Sequence, residues 1–220
     1  MATSKSQRIG IWIIAITLTV GTLAGFIAII LAPSNQQADQ AHLTQLNTDY
    51  QNAYKGYQAK VDAQALELSG KYFDNFNRYS TTPAVFNAAD VTALKTEDLV
   101  IGTGSEVTSG TSFVAYYIGW TPDGKVFDSS INSTSLKAPI TASPGGVISG
   151  WTEGATGMKE GGVRELTIPS DKAYGATGSG TSIAPNTPLK FIVMVIPAPE
   201  KITAPEIPAE LLKYYSTSSR

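Results

Sequence analysis

The sequence predicts an α+β protein in which an antiparallel sheet wraps one short helix, preceded by an N-terminal transmembrane helix and a helical stalk. Three observations lead there. Residues 9–32 form a 24-residue stretch without a single charge. Residues 35–68 repeat apolar positions at spacings of mostly three and four, the signature of one helix face. Beyond Lys95 the pattern changes to short runs of β-branched and aromatic residues punctuated by glycine.

Taken in order, residues 1–8 carry Lys5 and Arg8 and precede the apolar stretch. As a helix rising about 1.5 Å per residue, residues 9–32 extend roughly 36 Å, enough to cross a hydrocarbon core of about 30 Å. A cleaved secretory signal is the competing reading, but its apolar region is usually about 7–15 residues long and ends in small residues, and "LAPSN" matches that poorly. The first charge after the stretch is Asp39. The positive-inside rule then puts the N-terminus in the cytoplasm and everything beyond about Ser34 outside, as a single-pass protein of the cell membrane.

Residues 33–95 read as a helical stalk and linker. Leu43, Leu46, Tyr50, Ala53, Tyr57, Val61, Ala65 and Leu68 make its stripe. A homodimer through this stalk is one use of the stripe. The other is a single amphipathic helix that packs on the domain or spaces it from the membrane, favoured because the seam carries Tyr and Ala where strong coiled coils place Leu and Ile. Residues 69–93 mix aromatics with turn formers and read as linker.

Residues 96–198 hold the domain. "DLVIG", "SFVAYYIGW", "VRELTIP" and "LKFIVMVI" are the strands, and "TPDGK" carries an Asp-Gly turn signal. Leu166 and Ile168 alternate with polar neighbours, whereas "FVAYYI" and "FIVMVI" are apolar on both sides and suit central strands. A short helix fits "GWTEGATGM". Residues 199–220 are a Pro-rich tail, an extended spacer ending in a short helix.

Composition removes several function classes. The chain has 220 residues, 42% hydrophobic and 15% charged, with a net charge of −2 and no Lys/Arg cluster longer than a pair, so there is no electrostatic footprint for nucleic acid. Without cysteine there is no disulfide, thiolate nucleophile or Cys-based metal site. The sole histidine, His42, lies on the polar helix, far from the glycine-rich region. "GTGSEVTSG" and "GATGSGTS" fit neither phosphate-loop pattern. Ser129 and Ser130 have no histidine partner in the domain, and Asp123, Asp128, Glu153 and Glu165 form no metal set by spacing. Asn132-Ser-Thr reads as a chance glycosylation match. What remains is apolar and aromatic, suited to binding an apolar ligand or to a reaction needing no acid, base or nucleophile.

Four blocks carry a closer identification. "LKTEDLVIGTGSEVTSG", "FVAYYIGWTPDGKVFDSS", "GGVISGWTEGATGMKEGGVRELTIPSDKAYGATG" and "IAPNTPLKFIVMV" resemble, in order, the signature blocks of FKBP-type peptidyl-prolyl cis-trans isomerases. The resemblance covers nearly all of residues 96–196 and implies the FKBP-like fold, no cofactor and no metal. It implies Tyr117, Phe127, Asp128, Trp151 and Tyr174 as catalytic residues, with Trp151 the floor beneath a proline ring and Asp128 the pocket carboxylate. Ile140, Val147, Ile148, Ile183 and Phe191 are the implied substrate-binding residues, the Tyr174 hydroxyl and Ile148 N–H holding substrate carbonyls. The implied partners are X-Pro segments of unfolded or exported proteins. A non-catalytic binding or chaperone module for such segments is the alternative. Ser179, Ser182, Ala184 and Ala142 depart from the family pattern, where bulkier or aromatic residues, an Ile and a Pro are common, and imply a less apolar rim.

Overall fold

Strands apolar on both sides need both faces covered, and that requirement organises the structure. The computed structural model describes residues 35–218. The N-terminus and the predicted span, residues 1–8 and 9–32, lie outside the described residues. Among those described, no helix is long and apolar enough to cross a membrane. In chain order the elements are α1 (Asn35–Asn77), β1 (Lys95–Val100), β2 (Phe113–Trp120), β3 (Val126–Ser129), β4 (Ile131–Asn132), β5 (Ser135–Leu136), β6 (Ile140–Ala142), α2 (Ser149–Ala155), β7 (Val163–Ile168), β8 (Leu189–Ile196) and α3 (Ala209–Ser218). They fall into two compact units, Gly56–Thr203 and a second that ends at Lys55 and resumes at Ala204.

In the larger unit the sheet runs β1-β7-β8-β2-β3, with β6 joined to the other end of β2. Every pairing is antiparallel. Successive residues of a strand point to opposite faces. Ala115, Tyr117 and Gly119 therefore oppose Val195, Val193 and Phe191 on one face, while Val114, Tyr116 and Ile118 oppose Ile196, Met194 and Ile192 on the other. Both sets are buried apart from the half-buried Tyr117. The inner face packs against Trp151 and Ala155 of α2.

The outer face is covered from the N-terminal side. The helical stripe does not stop near Leu68: α1 continues to Asn77, and Phe76, fully buried, packs with Tyr116, Ile118, Trp120, Ile192 and Met194. Tyr72, Phe73, Tyr79 and Phe86 add to the same cluster. Polar contacts fix this cover in place. Leu136 N donates to the buried Ser69 hydroxyl at 2.8 Å, Trp120 Nε1 donates to the Ala84 carbonyl at 3.2 Å, and Phe86 N donates to the Pro122 carbonyl at 3.0 Å. Residues 69–93, read from sequence as linker, thus form one side of a second core. Within it the Tyr116 hydroxyl is buried without a hydrogen-bond partner among the described residues. Burial, and secondarily Tyr72, pushes its pKa up to about 12, so the hydroxyl stays neutral.

The smaller unit joins the first half of α1 to α3. His42 and Glu210 approach to 2.9 Å at its surface, and Leu211 is buried.

A chain begun at residue 96 would leave Tyr116, Trp120, Ile192 and Met194 facing water, an apolar patch of the kind that drives association. Light scattering and urea unfolding should show it aggregated or markedly less stable than a chain of residues 56–203. Equal behaviour of the two would mean that the outer-face cover contributes little.

Candidate active site

Aromatic side chains meet on the inner face because glycine removes the atoms that would hold them apart. On α2, Gly150 and Gly154 lie one turn apart and rest on β7. A Cβ at 150 would stand 2.3 Å from Ile168 Cγ2, and one at 154 would stand 2.8 Å from Leu166 Cδ2, both inside van der Waals contact. The helix therefore lies flat against the strand and drives the neighbouring Trp151 into the sheet. A Cβ at Gly119 would likewise come within 2.6 Å of both Phe127 Cζ and Phe191 Cε1.

Trp151 is the centre of the ring cluster. Its centroid is 5.3 Å from those of Tyr117 and Phe191, both edge-on, and 6.4 Å from that of Phe113, nearly parallel. Phe127, from β3, meets Phe191 edge-on at 5.5 Å. Edge-to-face pairs at such separations add about 0.5–1.5 kcal/mol each beyond area burial. Tyr117 and Phe127 are half-buried, so their rings both line the surface and hold the core.

Arg164 secures the far end of α2. Its Nη1 donates to the Gly154 and Thr156 carbonyls at 2.8 and 3.1 Å, satisfying backbone acceptors that a helix C-terminus leaves open. Nε and Nη2 grip the Asp98 carboxylate at 2.6 and 3.0 Å, a two-pronged pairing that fixes orientation as well as charge. The C-terminal end of α2 is thus tied to β1 through β7.

The polar groups surround the aromatic floor. Tyr117 donates its hydroxyl hydrogen to the Asp128 carboxylate. Ser129 N donates to Asp128 Oδ1 at 2.7 Å, and Lys137 Nζ stands 3.6 Å from the same oxygen. Burial, then the bond to Asp128, holds the Tyr117 pKa far above the usual tyrosine range. Tyr174 is raised too, by burial first and the Asp128 charge second. Both hydroxyls are therefore neutral donors throughout physiological pH. Ile148 takes an extended conformation before α2 (φ −62°, ψ 149°), and its carbonyl accepts from Trp151 N at 3.0 Å.

Ile140, Val147 and Ile148 are half-buried against the inner cluster, and Ile183 is buried within it. Ser179 and Ile183 exchange backbone bonds of 2.8 and 3.1 Å, closing the loop after Tyr174 into a small hairpin. Ser182 and Ala184 are exposed beside it. Ala142 is different: fully buried, it pairs with Phe113 under the sheet edge, so its small size does not wet the rim. Phe113 and Arg164 are absent from the sequence-based set. Phe113 shares the parity of Ala115 and Tyr117 on β2, and Arg164 is a charge at an inward position of β7, which are the signals that identify them. Among the described residues no group of three or more His, Cys, Asp or Glu is placed to hold a metal ion.

Comparison with known proteins finds relatives of the domain that holds this site. The family profile described as FKBP-type peptidyl-prolyl cis-trans isomerase matches residues 104–196. A protein named FK506-binding protein, from Neisseria meningitidis serogroup A, is 46% identical over 100 residues, covering 46% of this chain and 91% of its own. A probable FKBP-type peptidyl-prolyl cis-trans isomerase of Haemophilus influenzae is 39% identical over 95 residues, covering 43% of this chain and 38% of its own. A solved peptidyl-prolyl cis-trans isomerase from Pseudomonas syringae pv. tomato aligns at 31% identity and a TM-score of 0.43, over 68% of this chain and 96% of that one.

Proposed function

The chain belongs to the FKBP-type peptidyl-prolyl cis-trans isomerase family, and from that premise we propose that it turns X-Pro bonds of exported polypeptides on the Trp151 floor while residues 9–32 tether it to a membrane. The observation that carries the site assignment is the ring cluster of Trp151, Tyr117, Phe127 and Phe191 beside a single carboxylate, Asp128, already engaged by Tyr117.

The chemistry needs little more. Rotation about an X-Pro bond breaks no covalent bond, but its barrier is about 18–20 kcal/mol because the twisted amide loses resonance. A twisted amide is less polar than a planar one. Walls that exclude water therefore favour the twisted form over the planar, and each 1.36 kcal/mol of that preference is about tenfold in rate. In this reading the proline ring rests on Trp151, Phe127 and Phe191 wall it, and the Tyr174 hydroxyl and Ile148 N–H donate to flanking carbonyls. Asp128 orients Tyr117 by accepting its hydrogen.

A non-catalytic module that only holds Pro-containing segments is the alternative, supported by the exposed Ser182 and Ala184 at the rim. NMR exchange spectroscopy on short peptides with an apolar residue before proline separates the two. The enzyme should bring exchange, which takes tens to hundreds of seconds unaided, into the sub-second range at micromolar protein. Exchange left at the uncatalysed rate selects the binding module. Tyr174→Phe removes one neutral hydrogen bond of about 0.5–1.5 kcal/mol, so turnover should fall only about 2- to 13-fold. Phe127→Ala admits water beside the amide and should cost more in protein that circular dichroism shows to be folded. The reverse order would transfer the main catalytic role to hydrogen bonding.

Lys5 and Arg8 ahead of the uncharged stretch support a cytoplasmic N-terminus and an extracytoplasmic domain. Protease added to intact spheroplasts should digest the chain beyond about residue 35 and leave a membrane-held fragment. A protected domain, or recovery of the intact chain in the soluble fraction, would overturn the tether.

A further inference from the structure

The stripe on α1 is covered unevenly. Toward its C-terminal end Tyr72, Phe73 and Phe76 are packed against the outer sheet face. One to four turns earlier, Tyr57, Val61, Ala65 and Leu68 continue the stripe but are only half-buried, and they face a groove of about 390 Å³. Its other walls are Pro139 just before β6, Thr141 on β6 and Ile202 in the tail. The tail wall is pinned to the helix: Gln64 Nε2 donates to the Glu200 carbonyl at 2.8 Å. The charged residues lining the groove, Glu200 and Lys201, are of opposite sign. The volume lies within the range of about 300–1,000 Å³ typical of sites that take a drug-sized ligand, and the lining offers no net charge to recruit an ion.

The groove and the aromatic floor share a border. Successive residues alternate between them: Ile140 packs on the inner cluster while Pro139 and Thr141 line the groove, and on β2 Ala115 is inner while Val114 lines the groove. β6 has a strand partner on one side only, β2, so the strip between the two sites is a sheet edge. The two sites lie on opposite faces of one sheet, so a chain that occupies both passes round this edge, a path of several extended residues at about 3.3 Å each.

Resting on the isomerase reading above, we propose that this groove is a second binding site for the same client, taking an apolar, extended segment of unfolded polypeptide that lies about three to six residues from the proline on Trp151. Short proline peptides do not reach it. Unfolded protein chains do, and are held while the bond turns. The groove thereby makes the enzyme selective for long unfolded chains over isolated X-Pro motifs.

The test uses the full-length chain in lipid nanodiscs with two substrates: a proline tetrapeptide, and a reduced, carboxymethylated ribonuclease whose refolding waits on a prolyl bond. Val61→Glu places a charge in the groove and Ala65→Trp fills it with an apolar ring. Neither residue belongs to the aromatic site. Tetrapeptide kcat/KM should stay within about twofold of the parent for both, while KM for catalysed refolding should rise about tenfold, the order expected for losing the burial of an apolar side chain. Anisotropy of labelled unfolded ribonuclease should show the same loss of affinity. Unchanged refolding KM and unchanged affinity in both variants would overturn the groove while leaving the isomerase intact. Equal losses on tetrapeptide and ribonuclease would also overturn it, since the groove would then act only through the pocket. A dimer in sedimentation that Val61→Glu splits, with KM unmoved, would assign the groove to a second copy and overturn the client reading. If the parent leaves the tetrapeptide uncatalysed, it is the isomerase reading that fails, and the anisotropy result alone then decides the groove.

Discussion

The central pair β2 and β8 presents apolar side chains on both of its faces, and neither face can be left to water. The inner face is closed by a seven-residue helix too short to bring its own apolar stripe, so it lies flat instead, with Gly150 and Gly154 admitting Ile168 and Leu166 to where side chains would otherwise stand. The outer face is closed by the last turns of a 43-residue helix and the segment after it. Register links the two. Tyr117 can face the aromatic floor only because Tyr116 and Ile118 face Phe76, and a one-residue slip would exchange the two sets.

The same economy governs the site. Rotation of an amide asks for a dry, shaped surface and a few neutral donors, and the inner face supplies rings held at fixed angles to one another. The ion pair of Arg164 with Asp98 ties the C-terminal end of α2 to the sheet, and Lys172 bonds Glu153 on the same helix. Asp128 is half-exposed and engaged by Tyr117 and Lys137. Raised tyrosine pKa values serve that arrangement, because a hydroxyl that resists ionisation remains a donor.

Much of this was legible in the residues. Runs apolar on both sides in "FVAYYI" and "FIVMVI" mark β2 and β8 as central strands, and Tyr117, Phe127 and Phe191 of the signature blocks gather in the ring cluster around Trp151. The cover of the outer face was not. Phe76 extends the α1 stripe into a stretch that reads as linker, Tyr79 and Phe86 sit among turn formers, and only the three-dimensional sheet reveals what they pack on. Arg164 was hidden for a related reason: besides Asp98, its partners are backbone carbonyls at 154 and 156, which no side-chain pattern announces. Glycines that look like turn formers divide in two. Gly157 and Gly161 do adopt positive φ, whereas Gly150 and Gly154 are required by close approach, a property of the neighbouring strand rather than of their own backbone.

If the amide is turned by removing water from it, no proton is in flight when the barrier is crossed. The ratio of kcat/KM in H2O to that in D2O, measured on one X-Pro peptide across pH 6–9, examines this directly. Desolvation by the Trp151 floor with neutral tyrosine donors expects a ratio of about 1 and a flat pH profile, since the tyrosines remain protonated and general acid–base transfer is absent. A ratio of about 2 or more, or a profile that breaks near neutrality, would contradict it and require a titrating group in the rate-limiting step.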